Sequence, residues 1–485
     1  MEQPLAFSLD IPLRGRLQAL HGQLRAAILD GRLRTGHPLP STRTLATSLG
    51  LSRNTIVAAY DRLLSEGYIV SRQGAGYVVA HAGPTQASPS RSSAGEEKRL
   101  QPQWRGAMFP APMNALPPAR YDLRVGLPDA SRFPFEAWRK LSARALRALS
   151  RAPSFYGAVM GREALREAIA GHVSFTRAVT CSAADIMVTA GAQQAFDLLA
   201  RILVTPGRTV VAVEDPGYPP LRQAFETAGA QVVPVPVDNE GLVVEQIPHH
   251  ARVIYVTPSH QFPSGMAMSP ARRVALLEFA RRHEAVIIED DYDGEFRYGQ
   301  RPIDALQSID TEGRVIYVGT FSKALSPQLR LGYLVLPHSL VPVFRQAKRL
   351  ADRHAPALEQ QVLAALIGDG AYERHVRRMR RENERRRSTL LQAIERYLPG
   401  NARVDGTAAG LHVVLWLPSL KAHDEPALAA AARGNGVGIY PVSPLFAPTA
   451  SRGRVRPAGF ILGYASLTIA QIQEGMRLLG KAIAQ

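Results

Sequence analysis

Apolar positions at helical spacing open the chain. Between Leu13 and Leu29, residues Leu17, Leu20, Leu24 and Ile28 recur every three or four positions, and Gly31 follows as a stop. This predicts a first amphipathic helix. The next stretch, LPSTRTLATSLGLSRNTIVAAYDRLLSEGYI, reads as two short helices: Ser41 caps the first, Gly50 ends it, and Ser52 caps the second. On that second helix Ile56, Tyr60, Leu63 and Leu64 are expected in the core, which leaves Arg53, Asn54 and Thr55 in its first turn. After Gly67 the period changes. YIVSRQGAGYVV alternates and turns at Gly74 to Gly76, predicting a two-stranded wing with Arg72 and Gln73 at its tip. Helix, turn, helix and wing together predict a winged helix-turn-helix over residues 1–81, the architecture that presents a helix to the major groove of double-stranded DNA.

From residue 82 to about residue 120 the periodicity disappears. The segment is rich in Pro, Ser, Gly and Ala and reads as a linker, stiffer from Pro110 to Pro118 than at its Ser-rich start. Beyond it, residues 121–485 form a second domain in which apolar strands give way to small-residue turns and helices, an α/β pattern. Two domains are what the length requires, because 485 residues exceed a single core. A composition of 46% hydrophobic and 20% charged residues is that of a globular chain rather than a disordered one. The formal net charge of +17 favours a polyanionic partner, since Lys and Arg gain by displacing counterions from phosphates. Nucleic acid leads an anionic membrane surface here, because no stretch approaches the ~18 to 20 apolar residues of a span. No basic and apolar leader opens the chain, so a cytoplasmic protein is expected. Cys181 is the single cysteine, which excludes an internal disulfide and offers no zinc site, and no metal is expected.

The second domain carries candidate chemistry. In VIYVGTFSKALSPQLRLGYLVLP an apolar strand ends in a loop bearing Lys323, with Arg330 seven residues later. An amine there can form a Schiff base with an aldehyde cofactor, and a guanidinium can grip a phosphate in a fork; the alternative is a solvated loop lysine. AVIIEDDYDGEF runs a buried strand into carboxylates and Tyr292, and its end can deliver Asp290 to a protonated pyridine nitrogen, unless the acidic run is merely solvated. IMVTAGAQQAFDLLARIL is a strand, a glycine turn and a helix whose opening N–H groups at Ala192 and Gln193 can cradle a phosphate. VAVEDPGYPPLRQAF sets Tyr218 just after a strand, where a ring can cover a flat cofactor.

The first of these regions, over nearly its whole length, resembles the winged-helix domain of GntR-type bacterial regulators. The resemblance implies Arg43, Ser52, Arg53, Asn54, Thr55 and the wing residue Gly74 as DNA contacts, with Arg53 either paired to a guanine edge or holding a phosphate. From about Tyr121 to Gln485 the chain resembles the fold type I aminotransferases, pyridoxal 5′-phosphate-dependent transferases with a mostly parallel central sheet and a smaller C-terminal α+β part. The two joined resemble the MocR subfamily of GntR regulators. By position this implies Lys323 as the lysine holding the cofactor aldehyde, Asp290 at the pyridinium nitrogen and Tyr292 at the phenolic oxygen. Ala192, Gln193, Thr320 and Arg330 are implied around the phosphate, and Tyr218 on the ring. Tyr156, in SFYGAVMGREALREAI, matches a residue that reaches the phosphate of a neighbouring subunit, which implies a homodimer.

Two departures from the aminotransferase pattern bear on function. Where those enzymes read Asn-Pro-x-Gly this chain reads HQFPSG, so Phe262 replaces the asparagine, and its hydrogen bond is lost or supplied by Gln261. Where they carry the arginine that binds a substrate carboxylate, FILGYASL places Ile461; Arg452, Arg454 and Arg456 lie just upstream and either substitute for it or form a solvated or phosphate-facing patch. The expectation is a regulator that senses an amine, an amino acid or the cofactor itself, the alternative being a working aminotransferase with a DNA tether. A last feature is basic. In AYERHVRRMRRENERRRSTLLQAIERYL, Arg374, Arg377, Arg378, Arg381 and Arg385 share one helix face and Arg380, Arg386 and Arg387 are expected to widen it, either as a second DNA contact or as a solvated face.

Overall fold

The computed structural model describes residues 9–12, 14–72, 76–80, 104, 116–153, 155–299, 303–400, 402–448 and 456–484. The chain divides into two compact units, Met1–Glu97 and Lys98–Gln485, and the division falls inside the stretch read as a linker. Most of that stretch lies outside the described residues, as do Gly74 at the wing tip and Arg452 and Arg454.

In the first unit, α1 (Arg16–Leu29), α2 (Thr42–Leu49) and α3 (Arg53–Ser65) precede an antiparallel pair, β1 (Ile69–Arg72) and β2 (Gly76–Val79). The caps are those the sequence predicts. Ser41 Oγ accepts from the Thr44 N–H and Ser52 Oγ from the Thr55 N–H, each at 3.2 Å, satisfying donors that a helix start leaves open. Gly50 ends α2 at φ 62°, a left-handed conformation that costs glycine nothing. Leu20, Leu24, Ile56, Ala59, Tyr60, Leu63 and Ile69 make the core. One expected core residue is not in it: Leu64 is 40% exposed. The buried stripe 56, 59, 60, 63 fixes the rotation of α3, and a residue 100° beyond Leu63 falls outside it.

The second unit opens with β3 (Tyr121–Asp122), which pairs with the later β14 (Val437–Gly438). Its centre is an eight-stranded sheet of β4 (Ile186–Thr189), β5 (Val210–Asp215), β6 (Gln231–Asp238), β7 (Gly241–Leu242), β8 (Val253–Val256), β9 (Val286–Asp291), β10 (Val315–Thr320) and β11 (Gly332–Val335). The spatial order is β4-β11-β10-β9-β8-β5-β6-β7. Pairs from β10 through β9, β8 and β5 to β6 are parallel, while β11 runs antiparallel to both its neighbours. These strands read as near-continuous Val and Ile because helices cover both faces. A smaller sheet, in the order β12 (Arg403–Asp405), β13 (His412–Lys421), β16 (Pro457–Gly463) and β15 (Tyr440–Pro441), packs with the helix Ile469–Ala484 as the C-terminal α+β part. This is the mostly parallel α/β architecture of the fold type I transferases. No described helix is long and apolar enough to cross a membrane.

The topology decides where a ligand can sit. Strands β4, β5, β8, β9 and β10 all end at the same edge of the sheet, so the loops that follow them converge there, the usual binding edge of an open α/β sheet.

Candidate functional site

At the end of β9 the pleat separates three consecutive carboxylates. Glu289 and Asp291 face one way: Glu289 accepts from the N–H groups of Leu306 and Gln307 at 2.7 and 2.9 Å, and Asp291 takes Arg177 and Tyr317, both at 2.6 Å. Asp290 faces the other way. Its Oδ2 accepts from the Tyr255 hydroxyl at 2.7 Å, while its Oδ1 is buried without a hydrogen-bond partner. Burial pushes the Asp290 carboxyl up to about 7.

Lys323 follows β10 in a turn and donates from Nζ to the Gly126 carbonyl at 3.0 Å. A β-carbon on Gly126 would overlap that Nζ, and its φ of +77° also calls for glycine. Burial pulls the Lys323 ammonium below its ordinary range, with Asp293 and Asp290 opposing. That favours the neutral amine, the nucleophilic form. Tyr218, at the start of the helix Pro219–Thr227, lies close enough for Asp290 and Arg330 to act on its hydroxyl, which burial pushes up to about 12.

The phosphate candidates gather at the next loop. Gly191 (φ +78°) opens the helix Ala192–Leu203, leaving the N–H groups of Ala192 and Gln193 at a free N-terminus. Arg330 lies against it, donating to the Ala190 carbonyl at 2.8 Å, and a β-carbon on Gly191 would come within 2.9 Å of the guanidinium. Thr320, buried at the end of β10, completes the group with its hydroxyl bonded to Ser322. Tyr156 is not part of it: it is 76% exposed, with Arg353 over its ring at 4.7 Å.

Gln261 does not stand in for the missing asparagine. Its amide nitrogen is spent on the carbonyls of Pro216 and Phe262, and its oxygen accepts from Ser264. Phe262 instead packs in an apolar cluster with Val414, Tyr440, Val442, Leu445 and the fully buried Ile461. Arg456 lies over the Phe446 ring at 3.4 Å, with Glu425 and Asp215 acting on its charge. Sequence reasoning missed His260, which contacts Tyr292 at 2.9 Å and Asp293 at 3.0 Å, because only the fold of the loop after β8 brings these three together.

On the first unit Ser52, Arg53 and Asn54 are exposed at the start of α3 and Arg43 on α2, while the Ser52 hydroxyl is occupied in capping. The basic helix Ala371–Tyr397 corrects one expectation. Arg374, Arg377, Arg378, Arg381 and Arg385 are exposed, but three others turn inward. Arg386 is 2% exposed and bound to Asp129 at 2.6 Å, Arg380 donates to the Glu295 carbonyl, and Arg387 donates to that of Thr407. Each reaches a partner distant in sequence, so helical spacing alone does not reveal it.

Comparison with known proteins agrees with both units. Residues 17–79 match the model of bacterial regulatory proteins of the gntR family, and residues 120–461 that of aminotransferase class I and II. The chain is 37% identical over 475 residues to the probable rhizopine catabolism regulatory protein MocR of Rhizobium meliloti, covering 98% of this chain and 94% of that one. The chain belongs to the MocR subfamily of GntR-type regulators. Another relative of this MocR-type chain is the pyridoxine biosynthesis transcriptional regulator PdxR of Corynebacterium glutamicum, 34% identical over 81% of each chain. The large unit of the present chain is similar to a kynurenine aminotransferase of Pyrococcus horikoshii solved with the pyridoxamine form of the cofactor, at 29% identity and a TM-score of 0.68 over 75% of this chain and 90% of that one. The cofactor of this fold is pyridoxal 5′-phosphate.

The raised Asp290 carboxyl makes a pH prediction for the cofactor-free protein. Its folded value, about 7, lies above its ordinary 3.8, so between those values the folded chain keeps a proton that the unfolded chain has lost. The resulting penalty is absent below pH 3.8, grows up to about pH 7 and is complete above it. Asp290→Asn should therefore raise the Tm of the cofactor-free protein at pH 8 and leave it nearly unchanged at pH 4. Thermal unfolding of both proteins across that range checks this; an equal gain at every pH would remove Asp290 as the titrating group.

Proposed function

We propose that this transcription regulator holds pyridoxal 5′-phosphate on Lys323 and uses the loaded unit as a sensor, binding an amine or amino acid, or reporting the cofactor itself, and so altering its grip on operator DNA. The observation that carries the cofactor assignment is the unpartnered Oδ1 of Asp290, a buried acceptor facing the same space as Lys323 and Tyr218, which a pyridinium N–H would satisfy. Tyr292 would face the phenolic oxygen and Tyr218 the ring. The N–H groups of Ala192 and Gln193, the Thr320 hydroxyl and the Arg330 guanidinium would hold the phosphate. Bound there, the cofactor supplies an aldehyde that condenses with amines and a ring that withdraws electrons.

Sensing rather than turnover is favoured by Ile461. An aminotransferase must hold its substrate with one C–H bond aligned to the lysine, and a fully buried isoleucine at the carboxylate-gripping position gives no such fork. A regulator needs only that its ligand favours one state over another by about 1 to 3 kcal/mol. Exposed Phe155 and Tyr156, 86% and 76% accessible, support a homodimer in which Tyr156 reaches the partner's phosphate group. Operator binding in turn supports a cytoplasmic protein.

Three outcomes follow. The loaded protein should absorb in the visible and carry a borohydride-reducible covalent cofactor, both lost in Lys323→Ala. Amino donors should shift that spectrum, and adding 2-oxoacids should not produce sustained turnover; continuous product formation would favour the enzyme reading. At the first unit, Arg53→Ala should weaken operator binding by about 1 to 3 kcal/mol if Arg53 reads a base edge, as measured by DNA titration.

The exposed arginines of the helix Ala371–Tyr397 support a second DNA contact. Arg374, Arg377, Arg381 and Arg385 have no carboxylate within 4.0 Å among the described residues, unlike Arg281 and Arg282, which pair with Glu278. Like charges at that spacing repel by a few tenths of a kcal/mol per pair, a cost that phosphates would relieve. Replacing Arg377, Arg378 and Arg381 with Ala should flatten the salt dependence of full-operator binding by up to about three units of slope and spare a short half-site duplex. Equal slopes would leave the helix a solvated face.

A further inference from the structure

The proton positions around Tyr292 follow from the groups packed against it. His260 is 3% exposed, and its Nδ1 lies 3.0 and 3.1 Å from the two carboxylate oxygens of Asp293 and 2.9 Å from the Tyr292 oxygen. Its Nε2 is buried without a partner. A β-carbon on Gly410 would overlap the ring at Cε1 and Nδ1, and one on Gly265 would come within 3.0 Å of Nε2, so the imidazole is wedged between loops.

Of the two neutral forms of His260, one is strongly disfavoured. With the proton on Nε2, a buried N–H would have no acceptor and the Nδ1 lone pair would face a carboxylate, two penalties at once. With the proton on Nδ1, the carboxylate receives a donor and only an acceptor is left unmatched at Nε2. The doubly protonated ring also carries Nδ1–H, so the result is the same for either charge. Nδ1 is a donor. The Tyr292 hydroxyl cannot donate to a protonated Nδ1, so its oxygen can only accept there, sharing the N–H with the Asp293 carboxylate, and the phenol's own proton must point to some other acceptor.

We propose that His260, its tautomer fixed by Asp293, is a positioning residue that occupies the Tyr292 oxygen as an acceptor and so directs the Tyr292 proton to the phenolic oxygen of the cofactor. In effect, this arrangement strengthens the one donor that remains where Phe262 has removed another. It rests on the reading of Lys323, Asp290 and Tyr292 as the cofactor site. Without the His260 N–H, the Tyr292 proton would turn to the adjacent Asp293 carboxylate and the cofactor oxygen would lose its donor.

The test uses the full-length protein loaded with pyridoxal 5′-phosphate and reads the pH midpoint of its visible band. A donor at the phenolate oxygen lowers that midpoint. Asp290, Asp293, Lys323 and His412 also face this space and are unchanged in the variants compared. His260→Phe should raise the midpoint by about one pH unit, the size of one charge-assisted hydrogen bond. His260→Asn, whose amide nitrogen can take the place of Nδ1, should stay near the parent. Tyr292→Phe should also raise the midpoint, and adding His260→Phe to it should move it no further.

An unchanged midpoint in His260→Phe, or an equal shift with and without the Tyr292 hydroxyl, would overturn the proposal. Thermal unfolding verifies that each variant is folded, and His260→Leu replaces His260→Phe if the larger ring is not accommodated. A parent protein that shows no Lys323-dependent band would instead overturn the cofactor-site reading itself, and this inference with it.

Discussion

A carboxyl group buried away from water, with one oxygen lacking a hydrogen-bond partner, is costly for a fold to contain, and the binding edge of the large unit is arranged around one. Asp290 keeps a single protein partner, Tyr255, on the face where Lys323 and Tyr218 also lie. Its neighbours in sequence show that this is not the general condition of the strand. Glu289 is held by two backbone N–H groups and Asp291 by Arg177 and Tyr317, so the opposite face of β9 is closed. Strand alternation thus converts a run of acids into one open valence and two satisfied ones. The same alternation on β10 and the convergence of five strand ends bring the lysine loop and the open helix N-terminus to that side of the sheet.

Much of this was legible in the sequence, and the reason is that local rules govern it. Ser41, Gly50 and Ser52 cap and terminate helices as their side chains and backbone freedom require, and the apolar strands of the large unit announce burial on both faces. Lys323 and Asp290 stand out because a charged group at or just past the end of an apolar strand has few structural uses, and Arg330 because it follows Lys323 in the same loop. Where reading by local pattern fell short, a tertiary partner decided the outcome. Leu64 fits a helical repeat but loses its place once 56, 59, 60 and 63 set the rotation of α3. Arg386 looks like one more member of a basic stripe, yet Asp129, 257 residues away, draws it into the interior. His260 carries no motif at all, and its role depends on a loop that brings it against Asp293 and Tyr292.

The two departures from the aminotransferase pattern lie in one apolar cluster. Phe262 and Ile461 are far apart in sequence but meet in the same cluster, with Val414, Tyr440, Val442 and Leu445 around them. An asparagine and an arginine at these positions would each need polar neighbours, and this wall offers few. Tyr440 is the main polar group in the cluster, and its hydroxyl is already committed to Arg124 and Asp122. A guanidinium put at position 461 would be a buried charge without a carboxylate to pair with, a penalty of several kcal/mol. Position 262 also lies against the rings of Tyr218, Tyr292 and His412, so the partner of an amide there would be on the cofactor side rather than in the cluster. On the function proposed above, the two sides of the site therefore have different origins: Lys323, Asp290 and the helix start at Ala192 follow strands of the parallel sheet, whereas the wall formed with Phe262 and Ile461 is built largely by the smaller C-terminal part.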